Sequence, residues 1–309
     1  MARHRGTYKP EKEEPYELSR GKIENLLKCE ACFWLERAKG VKFPGMPGFL
    51  LNTNTDTLLK KDFDAYRGKG PHPMMVAAGL EHLRPFAHED IGKWESSLQF
   101  GSSPNHFNTI HEETNILFGG GLDDVWENIE TGELHIVDYK STAQMSKTPK
   151  PLDETFIAPP TDPKQPDYKA GFRRQMEMYQ WIARRRGFTV SDIGYFVYVD
   201  GQHVGIDGML DQNDPATAWM RFQTAVIPFV GDDSWVEDAI YRAKEVLQMT
   251  ECPPHSKGCE HGAFLEQVNV VLENQSEVSV ADNSEAEHLE PHEAFAKAAK
   301  ALASAPKPD

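Results

Sequence analysis

Two carboxylates and one ammonium group occupy positions where β-strands usually carry apolar side chains. Asp123 follows the stretch GGGL, and Asp138 and Lys140 interrupt the apolar stretch that starts at Leu134. Mg²⁺ prefers oxygen ligands, and a bound Mg²⁺ acidifies its water and neutralises charge on a phosphodiester. A nearby lysine can orient that water or stabilise the transition state, and the backbone carbonyl of Tyr139 adds an oxygen ligand. These residues fit metal-dependent phosphodiester hydrolysis; a structural salt bridge at a strand end is the alternative.

A β-hairpin over residues 115–142 would bring these three side chains together. The segment ETGE predicts its turn, with residues 131–132 as a two-residue loop. Asp123 then lies opposite Lys140, with Asp138 one diagonal step away. Because side chains alternate between the two faces of a strand, all three groups share one face, and a slip of one residue would scatter them.

A second polar pair lies on the helix that we predict at residues 167–187. This segment has the strongest helical pattern in the chain, and Gly187 ends it. Gln175 and Tyr179 are four residues apart, so they face the same way on a mostly apolar side. Polar residues on such a side are candidates for a functional site; the alternative is a buried, hydrogen-bonded glutamine beside a core tyrosine.

Taken together, the stretches GGLDDVW, IVDYKST and QMEMY resemble the motif series of the PD-(D/E)XK nuclease superfamily. They are most similar to the branch that contains RecB-type nuclease domains and the CRISPR-associated exonucleases with an iron–sulfur cluster. That branch has G-x-x-D, then (D/E)-x-K on the neighbouring strand, then Q-x-x-x-Y on the next helix. The matching residues, in order, are Gly120, Asp123, Asp138, Lys140, Gln175 and Tyr179. The resemblance covers about residues 16–268.

The resemblance implies an α/β fold in which a mixed central β-sheet is flanked by helices, a restriction-endonuclease-like core with an N-terminal helical segment. The catalytic residues that it implies are Asp123, Asp138, Lys140, Gln175 and Tyr179. The metal ligands that it implies are Asp123 and Asp138, to which the carbonyl of Tyr139 is added from its position between Asp138 and Lys140. Relatives usually place a histidine ligand on the helix before the hairpin, where this chain has Asp56. Asp56 would then bind the cation as well; a capping or surface role is the alternative.

Four cysteines form two pairs at opposite ends of the chain. Cys29 and Cys32 have C-x-x-C spacing, whereas six residues separate Cys252 from Cys259. The relatives that carry a cluster use one N-terminal cysteine and three near the C-terminus, so this chain departs from their pattern. The four cysteines would hold a [4Fe–4S] cluster or a zinc ion. Reduced, partly buried thiols are the alternative.

The composition limits the possible partners and the organisation of the chain. A net charge of −15 over 309 residues excludes a generally basic surface, so contact with nucleic acid needs a local basic patch or a bound metal ion. No apolar run is long enough to span a bilayer, and the N-terminus lacks the apolar core of a secretory signal. We therefore expect a cytoplasmic protein with no membrane partner. We also expect a disordered tail at residues 1–15, a nuclease domain at 16–270, and an acidic, mostly disordered tail at 271–309.

These observations lead to one expected function and two rivals. We expect a Mg²⁺- or Mn²⁺-dependent DNA nuclease, acting as an exonuclease on single strands or ends. DNA repair, recombination, phage or CRISPR-type processing would supply its partner proteins. A nuclease-like module that binds DNA or a protein without catalysis is the first rival, and an unrelated α/β protein with structural hairpin charges is the second.

Overall fold

The computed structural model describes residues 3–45 and 47–281 and divides the chain into two compact units, residues 1–256 and 257–309. The strands of the first unit are Tyr16–Ser19 (β1), Leu83–Pro85 (β2), Asn108–His111 (β3), Ile116–Gly119 (β4), Asp124–Asn128 (β5), Leu134–Thr142 (β6), Ile193–Gly201 (β7) and Phe222–Val230 (β8). Its helices are Arg20–Lys28 (α1), Glu30–Arg37 (α2), Leu50–Asp64 (α3), Pro73–Ala77 (α4), Ile91–Trp94 (α5), Glu154–Ile157 (α6), Ala170–Arg185 (α7) and Val236–Gln248 (α8). The described part of the second unit contains the helix Glu260–Ala281 (α9).

The strands of the first unit form two mixed sheets. The five-stranded sheet has the order β2-β5-β6-β7-β8, and the three-stranded sheet has the order β1-β4-β3. β6 and β7 are parallel, whereas the other neighbours in the larger sheet are antiparallel. A parallel pair needs a crossover connection, and α7 lies in the connection between β6 and β7. The expected α/β fold, with a mixed central β-sheet flanked by helices, is confirmed; the second, three-stranded sheet was not predicted.

The hairpin of β5 and β6 differs from the predicted one in extent and in register. Residues 116–119 form β4 and pair with β1 in the other sheet, so the hairpin begins only at β5. Within the hairpin, Val125 pairs with Ile136. The predicted opposition of Asp123 to Lys140 is therefore wrong by two residues.

The loop of the hairpin accounts for this shift. The backbone N–H of Asn128 donates to the carbonyl of Glu133 over 2.8 Å, and the N–H of Gly132 donates to the carbonyl of Asn128 over 2.8 Å. The Asn128 side-chain oxygen also accepts hydrogen bonds from the N–H groups of Glu130 and Thr131. Gly132 adopts a φ of 75°, which glycine tolerates without strain. Asparagine thus closes a four-residue loop where we predicted a two-residue one.

The central strands of the five-stranded sheet are buried on both faces. On one face Ile136 packs with Met176 of α7, and on the other Val137 packs with Phe63 of α3. Burial on both faces explains the nearly continuous apolar sequence of β7. α3 and α7 therefore contact β6 from opposite faces of the sheet.

The N-terminal residues differ from the predicted disordered tail. His4 is 2% exposed and Tyr8 is 9% exposed, so both side chains are buried. The Arg3 guanidinium donates two hydrogen bonds of 2.6 Å to the carboxylate of Glu17 in β1. Residues 3–15 are consequently packed on the first unit.

The C-terminal prediction is only partly covered by the structure. α9 extends to Ala281, past the residue at which we placed the start of the tail, and residues 282–309 lie outside the described residues. The predicted domain limit at residue 270 stays a prediction. Among the helices that the structure describes, none is long and apolar enough to cross a membrane.

Candidate functional site

The register of the hairpin brings Asp123 level with Asp138. Asp124 at the start of β5 pairs with Val137 of β6, and the two strands are antiparallel. Asp123, which precedes Asp124, is therefore level with Asp138, which follows Val137. The Asp123 carboxylate is held in place because its Oδ2 accepts a hydrogen bond of 2.9 Å from the backbone N–H of Tyr139. The structure thus brings the two predicted carboxylates together more directly than the predicted register would have done.

Asp138 is a buried carboxylate that Lys140 neutralises only in part. Its side chain is 1% exposed and forms an ion pair with Lys140. The Lys140 Nζ also donates a hydrogen bond of 3.3 Å to the carbonyl oxygen of Tyr139. Burial raises the pKa of Asp138 to about 7; the Lys140 ammonium opposes this rise, and the charge of Asp123 adds to it. A carboxylate in this environment is stabilised by any further cation that comes close.

Gln175 and Tyr179 of α7 form hydrogen bonds with the Asp138 carboxylate and with the backbone that precedes Asp123, respectively. The Gln175 Nε2 donates a hydrogen bond of 2.7 Å to Asp138 Oδ1. The Tyr179 hydroxyl donates one of 2.8 Å to the carbonyl of Gly121. A Cβ atom at Gly120 would lie 2.6 Å from that hydroxyl, so the close approach requires glycine. One residue orients a buried carboxylate, and the other fixes the turn that leads into β5.

Asp56 and Lys60 approach the site from α3. They are four residues apart, and the Lys60 Nζ lies 3.6 Å from Asp56 Oδ2 and 3.9 Å from Asp123 Oδ1. Burial and the charge of Asp123 raise the pKa of Asp56, against the effect of Lys60. The sequence analysis missed Lys60, although its position one helical turn after Asp56 is a signal that could have identified it.

The oxygen atoms of this site are of the kind that a hard divalent cation prefers, but the carboxylates of Asp56, Asp123 and Asp138 do not all lie within 4.8 Å of one another. The candidate donors are the carboxylates of Asp56, Asp123 and Asp138 and the carbonyl of Tyr139. Lys60 and Lys140 supply two positive charges against three carboxylates. The cluster is therefore short of positive charge when all its carboxylates are ionised. A set made only of oxygen atoms favours Mg²⁺ or Mn²⁺ over metals that prefer nitrogen or sulfur.

A second set of potential ligands combines three cysteines with a histidine. One ligand atom each from Cys29, Cys32, His255 and Cys259 lies within 4.8 Å of the others. The His255 Nδ1 lies 3.5 Å from the Cys29 sulfur and 3.7 Å from the Cys32 sulfur. Cys29 lies at the junction of α1 and α2, which places the C-x-x-C pair at a helix boundary. This group could hold a metal ion such as zinc.

The composition of this group corrects the predicted ligand set. Cys252 is exposed and is not one of the four grouped residues, whereas His255 is. A histidine between the two C-terminal cysteines is the signal that could have identified it, because Cys₃His is a common zinc-binding set.

No protein-family model matches the chain, and no curated protein matches it significantly. A function for this chain is therefore argued from the geometry of its two ligand clusters.

Proposed function

We propose that the chain is a Mg²⁺- or Mn²⁺-dependent deoxyribonuclease that hydrolyses phosphodiester bonds. The observation that carries this proposal is the meeting of Asp123 and Asp138 across the hairpin, with Lys140 paired to the more buried carboxylate. Two carboxylates can hold a cation that activates a water, and a lysine beside them can stabilise the charge that develops on the phosphate. Exonuclease action on single strands or ends follows from the resemblance of the motifs.

Each residue of the site has a role in this proposal. Asp123, Asp138 and the Tyr139 carbonyl, with Asp56, would hold the cation, which acidifies a water and neutralises the phosphodiester when it is bound. Lys140 donates a hydrogen bond to the attacking water or to the charge that develops on the phosphate. Gln175 and Tyr179 act as positioning residues. Gln175 donates to Asp138 and so turns the other carboxylate oxygen towards Lys140.

We propose zinc, rather than an iron–sulfur cluster, for the Cys29, Cys32, His255 and Cys259 group. A histidine nitrogen and a cysteine sulfur bound to one tetrahedral zinc are about 3.5 Å apart, since the zinc–nitrogen bond is about 2.0 Å and the zinc–sulfur bond about 2.3 Å long. The separations of 3.5 Å and 3.7 Å from His255 agree with this value. In a [4Fe–4S] cluster each thiolate binds a different iron, so its ligands are spread more widely. Four protein ligands leave no open position, which is typical of a structural zinc site.

The biological setting is part of the proposal. A nuclease of this kind would act in the cytoplasm on DNA that is produced during repair, recombination, phage growth or CRISPR-type processing. Proteins of those pathways would be its partners.

The proposed activity is tested by cleavage of end-labelled single- and double-stranded DNA with Mg²⁺, with Mn²⁺ or with neither. Omission of metal is preferable to EDTA, because EDTA also extracts zinc. Lys140→Ala should abolish cleavage while it retains folding and DNA binding. Lys61→Ala removes an exposed lysine of α3 and should cleave like the wild type.

The other outcomes separate the rival functions. Folded wild-type protein that binds DNA but cuts no substrate with either metal would favour a non-catalytic binding module. Loss of folding, binding and cleavage together in Lys140→Ala would favour a structural role for the hairpin charges.

A further inference from the structure

A pocket next to the carboxylates of the candidate site is lined by basic and aromatic side chains. Its volume is about 450 Å³, and its wall includes Lys140 and Gln175, which both contact the carboxylate of Asp138. The pocket is therefore continuous with the place where the proposed hydrolysis would occur. Its size is within the range of about 300–1,000 Å³ that is usual for pockets that hold small organic groups.

The pocket is basic although the chain is acidic. Four basic and two acidic side chains line it, in a protein with a net charge of −15. Glu24, one of the two acids, is already paired with Arg174 over 2.7 Å and with Lys28 over 3.5 Å. Asp167, the other acid, is paired with Arg173. The acids of the wall are thus neutralised, and the remaining positive charge favours an anionic ligand.

Arg20 is the basic side chain of this wall that is best placed to bind a phosphate. It lies beside the hydroxyl of Tyr179, where it opposes the rise in the pKa of that tyrosine that burial causes. Within the described residues, no carboxylate lies at ion-pair distance from its guanidinium. A guanidinium that is held near the site and has no carboxylate partner is suited to a phosphodiester oxygen.

Tyr168 provides an aromatic surface at the same pocket. It is 85% exposed, which is unusual for a tyrosine beside the site. Its backbone is nevertheless held, because the neighbouring Asp167 accepts a hydrogen bond from the N–H of Lys169 and pairs with Arg173. Phe172 also lines the pocket, and the Lys140 Nζ lies 4.9 Å from the centre of its ring. Exposed rings beside a basic groove are the usual means of binding unpaired bases.

We propose that this pocket binds one unpaired nucleotide next to the bond that is cut, with Tyr168 stacking on the base and Arg20 contacting the phosphate. The proposal rests on the proposed nuclease function and specifies its substrate as a single strand or a frayed end. Bases in an intact duplex are stacked on their neighbours, so they do not offer a free face to Tyr168.

The test is the affinity for fluorescent oligo(dT) and for a strand of the same length without bases, measured in the Lys140→Ala background with Mg²⁺. Tyr168→Ala should weaken oligo(dT) binding by about 5- to 100-fold, as expected for loss of one stacked base. Tyr168→Phe, which keeps the ring, should bind within about twofold of the parent. Ile129→Ala, at the exposed hairpin loop, serves as the control and should bind like the parent.

The strand without bases shows whether the ring acts by stacking. Its affinity should be the same with and without Tyr168→Ala. An equal loss on both strands, or no loss on either, would overturn the proposal. The same measurement with oligo(U) tests whether the pocket distinguishes deoxyribose from ribose. A loss of oligo(U) affinity in Tyr168→Ala as well would support the nucleotide pocket but show that it does not select DNA over RNA.

The same variants separate this inference from the nuclease proposal. Cleavage that depends on Lys140, together with DNA binding and cleavage that are unchanged by Tyr168→Ala, would support the nuclease proposal and contradict the proposed stacking site. Binding that depends on Tyr168, without cleavage by the wild-type protein, would support the nucleotide pocket and contradict the nuclease proposal.

Discussion

The buried carboxylate of Asp138 should make the free energy of unfolding depend on pH when Mg²⁺ is absent. Its pKa is raised to about 7 in the folded protein, whereas an aspartate in an unfolded chain titrates near ~3.9. Between these values the unfolded state loses the proton while the folded state keeps it. The stability of the fold therefore decreases as the pH rises and levels off above about 7. From pH 6 to pH 8 the two pKa values correspond to a loss of about 1 kcal/mol.

The assay is urea denaturation of the wild type and of Asp138→Asn at pH 6, 7 and 8 in buffer without divalent cations. The wild type should lose about 1 kcal/mol more than the variant across this range. His135 is also buried, and burial lowers its pKa, but it titrates in both proteins and cancels in the difference. Asp207→Asn removes an exposed carboxylate and should keep the wild-type pH dependence.

Addition of Mg²⁺ gives the second half of the test. At 100 times its dissociation constant, a cation that binds only the folded state stabilises it by about 2.7 kcal/mol. This gain should be larger at pH 8 than at pH 6, because at pH 6 the cation must displace the proton of Asp138. Asp138→Asn should gain much less at either pH. Equal pH dependence in the wild type and the variant, or equal stabilisation by Mg²⁺, would refute the assignment of Asp138 as a buried metal ligand with a raised pKa.

Three further predictions follow from the two ligand clusters. Cys32→Ser should lose the zinc that we expect in purified protein, whereas Cys252→Ser should keep it, as measured by elemental analysis; zinc retained in both would contradict the ligand set. Lys60→Met should bind Mn²⁺ several-fold more tightly by calorimetry, because an ammonium no longer pairs with the carboxylates of the site; unchanged or weaker binding would count against this role. Gly120→Ala should destabilise the fold by about 1–3 kcal/mol in urea denaturation, and the additional change Tyr179→Phe should recover part of the loss; a loss unaffected by Tyr179→Phe would mean that another contact causes it.

The elements that sequence patterns predicted well are those whose pattern is local. The stretch IGYFVYVDG predicts a strand at residues 193–201, which are the limits of β7. The stretch SWVEDAIYRAKEVLQM predicts a helix at residues 234–249, and the limits of α8 and of α7 lie within three residues of the predicted ones. Each carries a long apolar pattern of one period, which indicates its type without knowledge of its neighbours. The buried residues of the N-terminal segment, His4 and Tyr8, are by contrast isolated within a charged stretch, so the composition of that stretch did not predict their burial.

The strands that the sequence analysis missed depend on distant partners or carry mixed signals. β1 pairs with β4, about a hundred residues later, so neither short segment shows its partner in its own sequence. β8 contains Pro228 and several exposed residues, and it lies at the edge of the sheet. Proline is tolerated at a sheet edge, so its presence weakened the strand pattern without preventing the strand.

The predicted register of the hairpin was wrong by two residues, yet the predicted site residues still lie on one face of the sheet because the error is an even number. Side-chain direction in a strand depends only on whether a position is odd or even, so a shift of two residues keeps Asp138 on its predicted face. Which residue lies opposite depends on the loop, where the Asn128 side chain adds two residues to the predicted connection. The observed register has the less favourable electrostatic energy, because it places Asp123 beside another carboxylate instead of beside Lys140. Two adjacent ionised carboxylates, one of them buried, repel each other unless a cation lies near them or one of them takes up a proton, as burial favours for Asp138. This repulsion is the physical basis for our proposal of a divalent metal at this end of the hairpin.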